Sequence, residues 1–165
     1  MARLLVVHHS PTPTVGALAA AVIAGARDDA IEGVEVVVRE ALSANAADVL
    51  AADGYLIGTT ANFGYMSGAL KHFFDTIFLE AGGALADDGA AGPTHGGVSG
   101  GRKPYGLWVH GRYDTTGAVR SVQAIVQALG WQQSAPVLEI LGDVDETERT
   151  RAYELGGTIA ALLSE

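Results

Sequence analysis

Gly58-Thr59-Thr60-Ala61-Asn62-Phe63-Gly64-Tyr65-Met66-Ser67-Gly68 joins the short apolar run Tyr55–Ile57 to the segment Ala69-Leu70-Lys71-His72-Phe73-Phe74-Asp75. Met66, Leu70, Phe73, Phe74 and Ile77 recur at helical spacing, so the stretch reads as a strand, a polar glycine-bearing loop and a helix. The same alternation repeats outward in both directions. Leu4–Val7, Val34–Val38, Leu107–Val109 and Val137–Leu141 are further short apolar runs, many of them β-branched and bounded by turn formers, which makes five strands. Val15, Leu18, Ala19, Val22, Ile23 and Ala26 mark one amphipathic helix between them; Val119, Val122, Val126 and Leu129, closed by Gly130, mark another. Ala152, Leu155, Ile159, Leu162 and Leu163 mark the last, and a shorter helix is expected over Ala46 to Ala52. Strands alternating with helices predict an α/β fold, a parallel sheet made by right-handed crossovers with helices on both faces. Such sheets bind ligands at the carboxyl ends of their strands, so the loops after strands one, three and four are the candidates.

The chain has 165 residues, 48% hydrophobic and 18% charged, enough for one core, and it is read as a single domain over residues 1–165 without internal repeats. A net charge of −9 repels polyphosphates, so no nucleic-acid partner is expected; the acidic surface serves solubility or a basic protein partner. The absence of cysteine excludes disulfides, iron–sulfur clusters and thiol nucleophiles, so redox chemistry would require a bound cofactor. Only Leu4 to Val7 precede the polar His8-His9-Ser10, so no signal peptide and no membrane span are expected, and the location is read as cytoplasmic. His8-His9 is read as a polar turn, and no metal site is expected.

The first candidate loop is His9-Ser10-Pro11-Thr12-Pro13-Thr14, leading into Val15. It brings three hydroxyls to a helix N-terminus, where free N–H groups favour an anion such as phosphate; alternatively, Thr12 or Thr14 simply caps the helix. The third loop, His110-Gly111-Arg112-Tyr113-Asp114-Thr115-Thr116-Gly117, offers an aromatic ring and a guanidinium, or else a solvated turn in which Asp114 or Thr116 caps the following helix. Between the third helix and the fourth strand, residues 82–103 hold eight glycines in 22 positions, and a lid, an oligomer contact or disorder would each fit. Within it Gly97-Val98-Ser99-Gly100-Gly101 fits the nucleophile-elbow pattern, but a strand follows instead of a helix and no histidine comes after His110. Nor do Gly96 to Lys103 end as a Walker loop should.

The second loop resembles that of the flavodoxin-like flavoproteins, above all their NAD(P)H-dependent FMN and quinone reductase branch. Gly58, Thr59, Phe63, Gly64, Ser67, Gly68, Leu70, Lys71, Phe73 and Asp75 stand where that family's strand-three loop and following helix carry their motif. Ser10, Thr12, Leu18 and Ala19 match its first loop, while Pro13 and Val15 depart from it. The resemblance implies a three-layer sandwich, a five-stranded parallel sheet in the order 2-1-3-4-5, and one FMN. Its phosphate would lie in the loop His9, Ser10, Thr12, Pro13, Thr14 and Val15, leaning on the Ser10, Thr12 and Thr14 hydroxyls and the Thr14 and Val15 amides, since Pro13 has no N–H. Its ring would lie against Thr60, Ala61, Asn62, Phe63 and Gly64, with backbone amides stabilising the reduced ring, and be covered by His110, Gly111, Arg112, Tyr113 and Gly117. In the residue-level reading Phe63 could instead plug the core.

The activity implied is an FMN-dependent oxidoreductase that takes hydride from NADPH or NADH and passes electrons to a quinone, a free flavin or another small acceptor. No catalytic side chain is assigned, and a homodimer or homotetramer is allowed. One alternative is a flavodoxin-type electron carrier docking on redox protein partners. A second is an FMN-free interaction module, which the departures at Pro13 and Val15 motivate.

Overall fold

The computed structural model describes residues 1–83, 85–90, 92 and 102–164. The element order is β1 (Ala2–His8), α1 (Pro13–Ala26), β2 (Val34–Glu40), α2 (Ala46–Ala51), β3 (Gly54–Asn62) and β4 (Tyr65–Met66). There follow α3 (Gly68–Ile77), β5 (Pro104–Gly111), α4 (Thr116–Ala128), β6 (Gln132–Gln133), β7 (Leu138–Leu141) and α5 (Glu146–Ser164). The sheet runs β2-β1-β3-β5-β6, with β7 also on β5 and β4 folded back on β3. Every pairing is parallel except β3 with β4, which is a hairpin.

The expected fifth strand is thus split in two along the outer edge of β5. Gln132 and Gln133 pair with Pro104 and Tyr105, and the ladder resumes only at Leu138 opposite Trp108. Pro136 stands in the gap, and proline has no N–H to donate to a ladder. Val137 falls just outside β7 and packs on the core from the connection. With β6 and β7 counted as one interrupted edge, the order is the expected one.

Alternation along the strands divides the core into two layers. Leu5 and Val7 face α2, α3 and α4 together with Phe73, Phe74 and Val122, whereas Leu4 and Val6 face α1 and α5 together with Leu18, Val22 and Ile159. Each of those large side chains, removed fully from water, contributes roughly 1.5–3 kcal/mol. Tyr55 and Trp131 stack at 3.8 Å between ring centroids under the first layer, and Gly130 (φ 77) turns the chain so that Trp131 reaches them. On the other face α1 and α5 touch backbone to backbone: a Cβ built on Gly156 would lie 1.9 Å from the Val22 carbonyl oxygen. Leu162, expected inside, is 44% exposed, and Ala160 is buried in that layer instead.

Capping fixes the helix starts. Thr12 Oγ1 accepts from the Val15 N–H at 3.4 Å with Pro13 in the first turn of α1, and Ser67 Oγ accepts from the Leu70 N–H at 3.2 Å to open α3. Asn45 and Asp48 form a reciprocal capping box on α2. Of the glycine-rich stretch 82–103, residues 84, 91 and 93–101 lie outside the described residues, and with them the Gly97–Gly101 pattern. Among the described residues no helix is long and apolar enough to cross a membrane.

Candidate functional site

A cleft of about 630 Å3 opens where β1, β3 and β5 end. That volume lies in the range of small-molecule sites, at the position where the strand order reverses. Parallel register brings the three loops together: His8 stands opposite Gly58 on β3, and Thr60 opposite His110 on β5.

The first wall is the start of α1, where Thr12, Thr14 and Val15 line the cleft. Val15 and Gly16 N–H bond back to Thr12, and Pro13 has no N–H, so among the described residues the Thr14 N–H is the first-turn donor without a partner. Thr12 thus caps the helix, and Thr12 and Thr14 also line the cleft. His9, Ser10 and Pro13 are not on the cleft wall. Ser10 Oγ instead meets His8 Nδ1 at 2.8 Å, and the His9 N–H donates to the Gly58 carbonyl at 3.1 Å. His8 is therefore not part of a polar turn; it ends β1, and its burial lowers its pKa, opposed by Glu40 and reinforced by His9.

The cleft floor is the end of β3, with Thr60, Ala61 and Asn62. Thr60 Oγ1 is buried there and has no hydrogen-bond partner among the described residues. A buried hydroxyl without a partner is costly, and among the described cleft-lining residues Thr60 is the one that carries such a group. Thr59 has a structural task instead: its hydroxyl accepts from the Ser67 N–H at 3.0 Å and donates to the Thr60 carbonyl at 2.9 Å, pinning the start of α3 to the strand. Beyond Asn62 the chain reverses in a two-residue turn, Phe63 (φ 51) and Gly64 (φ 77), closing the β3–β4 hairpin. Phe63 is the one described non-glycine residue at positive φ, and its side chain is 110% exposed, so it does not plug the core.

The third wall comes from β5, with His110, Gly111 and Arg112. Tyr113 is 94% exposed beyond the rim. Asp114 Oδ1 accepts from the Thr116 N–H at 2.9 Å, and that bond holds its carboxyl below the usual range. Thr116 is already inside α4 and does not cap it. Gly117 stands back from the cleft: a Cβ there would meet the Gly64 carbonyl oxygen at 2.0 Å, so this glycine lets α4 abut the Phe63–Gly64 turn. A fourth segment, Gly142, Asp143 and Val144 after β7, completes the wall and was absent from the sequence reading. It is tied in by the Gly142 N–H to the Gly111 carbonyl (2.8 Å), by His110 Nε2 to the Gly142 carbonyl (2.7 Å), and by Arg112 Nη1 to Asp143 Oδ1 (2.8 Å). The only sequence signal for it was position: it follows the last strand. No cluster of three or more metal-ligating side chains occurs among the described residues.

No family model matches the chain. A flavodoxin of Aquifex aeolicus (strain VF5) is 34% identical over 85 residues, spanning 52% of this chain and 45% of that protein. The structure of a flavodoxin from the domain Archaea superposes with a TM-score of 0.77 at 17% identity, covering 99% of each chain. A WrbA-like flavodoxin protein from Agrobacterium tumefaciens does so with a TM-score of 0.69 at 17% identity, covering 99% of this chain and 98% of that one. With the sheet order and the end-to-end overlap in agreement, the chain has the flavodoxin-like fold.

Proposed function

We propose that this cleft binds FMN and that the chain works as a flavodoxin-type electron carrier, exchanging electrons with redox protein partners. The observation that carries the reading is the unpartnered Thr60 hydroxyl, buried in a cleft with the hydroxyl-rich start of α1 on one side and exposed aromatic residues at its rim. The likeness to the Aquifex flavodoxin supports it. Bound FMN supplies the electron-accepting chemistry at its ring. The chain's part is to hold it. Thr12, Thr14 and the Thr14 N–H would hold the phosphate, Thr60 and the backbone of Ala61 and Asn62 would meet the polar body, and Phe63 and Tyr113 would flank the ring. His9, Ser10, Pro13, Gly64 and Gly117 shape these loops from behind. An acidic chain of net charge −9 favours a partner with a basic docking face.

The residues that suggested the reductase branch have structural tasks here. Leu70 and Phe73 are buried in the core, and Lys71 pairs with Asp75 along the exposed face of α3 at 2.6 Å. A reductase that takes hydride from NADPH or NADH and reduces a quinone, free flavin or other small acceptor remains the second reading. It is favoured by a rim that leaves a bound ring reachable from solvent, with Phe63 and Tyr113 both exposed. Anaerobic titration of the FMN-loaded chain separates the two. The carrier reading expects the flavin bands to persist with NADPH and NADH and to bleach with dithionite. Rapid bleaching by either nucleotide would replace it with the reductase, and a chain that stays colourless after FMN addition would leave only the interaction module.

A further inference from the structure

We propose that Arg112 stabilises the negative charge that a flavin ring gains on reduction, and that Asp143 competes with the ring for this guanidinium and so holds the reduction potential down. The inference rests on the FMN reading above and concerns a pair that the sequence did not bring together. Arg112 leaves the end of β5 and Asp143 the turn after β7; both line the cleft, and they bond at 2.8 Å. Two further bonds fix the loops around them, from the Gly142 N–H to the Gly111 carbonyl and between His110 Nε2 and the Gly142 carbonyl. Both backbone segments are thereby held in place while both side chains stay open to water: the Arg112 side chain is 62% and the Asp143 side chain 93% exposed, and among the described residues each bonds only the other. An ion pair so open to water holds weakly, and a ligand anion in the cleft can take the cation from it.

Charge distribution along the cleft sharpens the point. Among the described lining residues Arg112 and Asp143 carry the only full charges, with His110 the one other titratable side chain. The phosphate end is served by the hydroxyls and the helix start on the α1 wall, so Arg112 is left for the rest of the ligand. Uptake of two electrons and one proton leaves a flavin ring with one net negative charge. A fixed cation beside that charge favours the reduced form and raises the potential, and a neighbouring carboxylate opposes it.

The test is a potentiometric titration of the FMN-loaded full chain with dithionite, in wild type, Arg112→Gln, Arg112→Lys and Asp143→Asn. Both side chains are exposed, so the variants are expected to fold as the wild type does. Arg112→Gln is expected to weaken binding of reduced relative to oxidised FMN by about tenfold, which is a fall of about 30 mV on a two-electron couple. Asp143→Asn is expected to shift the potential upward by a similar amount, and Arg112→Lys to keep most of the wild-type value. Raising ionic strength should shrink the differences. Potentials that stay within a few millivolts in both variants, or that move in the same direction in both, overturn the assignment while leaving FMN binding intact. A wild-type chain that binds no FMN overturns the reading beneath it and this inference with it.

Discussion

Replacing Phe63 by Asn separates the cost of the second loop from its use. Phe63 sits at φ 51 in the first position of the β3–β4 turn, with Gly64 at φ 77 in the second. The left-handed region costs a non-glycine residue roughly 1–2 kcal/mol, and Asn-Gly is the pair that this turn prefers. Because the Phe63 side chain is 110% exposed, the substitution gives up no burial. Phe63→Asn is therefore expected to stabilise the FMN-free chain by about 1 kcal/mol, or about 2–4 °C in melting temperature for a domain of this size. The same change removes a ring that would stack on the flavin. Aromatic stacking platforms contribute about 1–3 kcal/mol per base, so FMN affinity should fall roughly five- to 150-fold. Urea unfolding followed by circular dichroism gives the first quantity and quenching of FMN fluorescence the second. A variant less stable than wild type would refute the strain argument, and one with unchanged affinity would take Phe63 out of the site.

Gly156→Ala pushes a methyl into the Val22 carbonyl oxygen, to which a Cβ would approach within 1.9 Å, so α1 and α5 must part. The overpacking cost of about 1–3 kcal/mol outweighs the ~1 kcal/mol gain in helix propensity, and an unchanged urea midpoint would show the helices to be less closely packed. Pro13→Gly restores an N–H at the start of α1 and should tighten FMN several-fold while leaving riboflavin, which has no phosphate, nearly unaffected; equal effects on both would remove this helix start from the phosphate site. Burial lowers the pKa of His8, so the native state resists protonation there more than the unfolded chain does. That contribution is fully present above the unfolded value near 6.5 and is lost as pH falls through the lower native value, with Glu40 and His9 the charged neighbours. Stability should drop from pH 7 to 5 less steeply in His8→Gln than in wild type, and parallel curves would contradict the assignment.

What the sequence made legible follows from periodicity. Leu4 to Val7 are buried on alternating sides, and the helical series from Val15 to Ala26 and from Met66 to Ile77 put their apolar faces where expected. Order and layers follow because each strand–helix unit must bury two faces. The two-residue strands β4 and β6 were not legible, since a run of two residues has no period to read. Leu162 failed because α5 closes on α1 through glycine contacts, which leaves the register of its last turn to Ala160 rather than to the larger side chain. In the site, Thr60 to Asn62 and His110 to Arg112 could be named because they come just after the short apolar runs Tyr55–Ile57 and Leu107–Val109, where the resemblance places its loops. Gly142, Asp143 and Val144 could not, because their place beside Arg112 is set by the long-range bonds of Gly142 to Gly111 and His110. Likewise, nothing in a motif tells that Gly117 serves the packing of α4 on the Gly64 turn, a matter of backbone approach.

A flavin mononucleotide is proposed to enter this cleft and to meet the Thr60 hydroxyl, which is buried there without a partner among the described residues. Fluorescence titration of FMN into the purified chain and into Thr60→Val tests it most directly. The valine is nearly isosteric, and the hydroxyl it removes is unpartnered among the described residues. The FMN-free variant should therefore be at least as stable as wild type. The account predicts saturable quenching at one FMN per chain in wild type and binding weaker by about fivefold or more in the variant, as loss of one hydrogen bond of about 1 kcal/mol requires. No saturable binding in wild type, or equal affinity in both proteins, would contradict it.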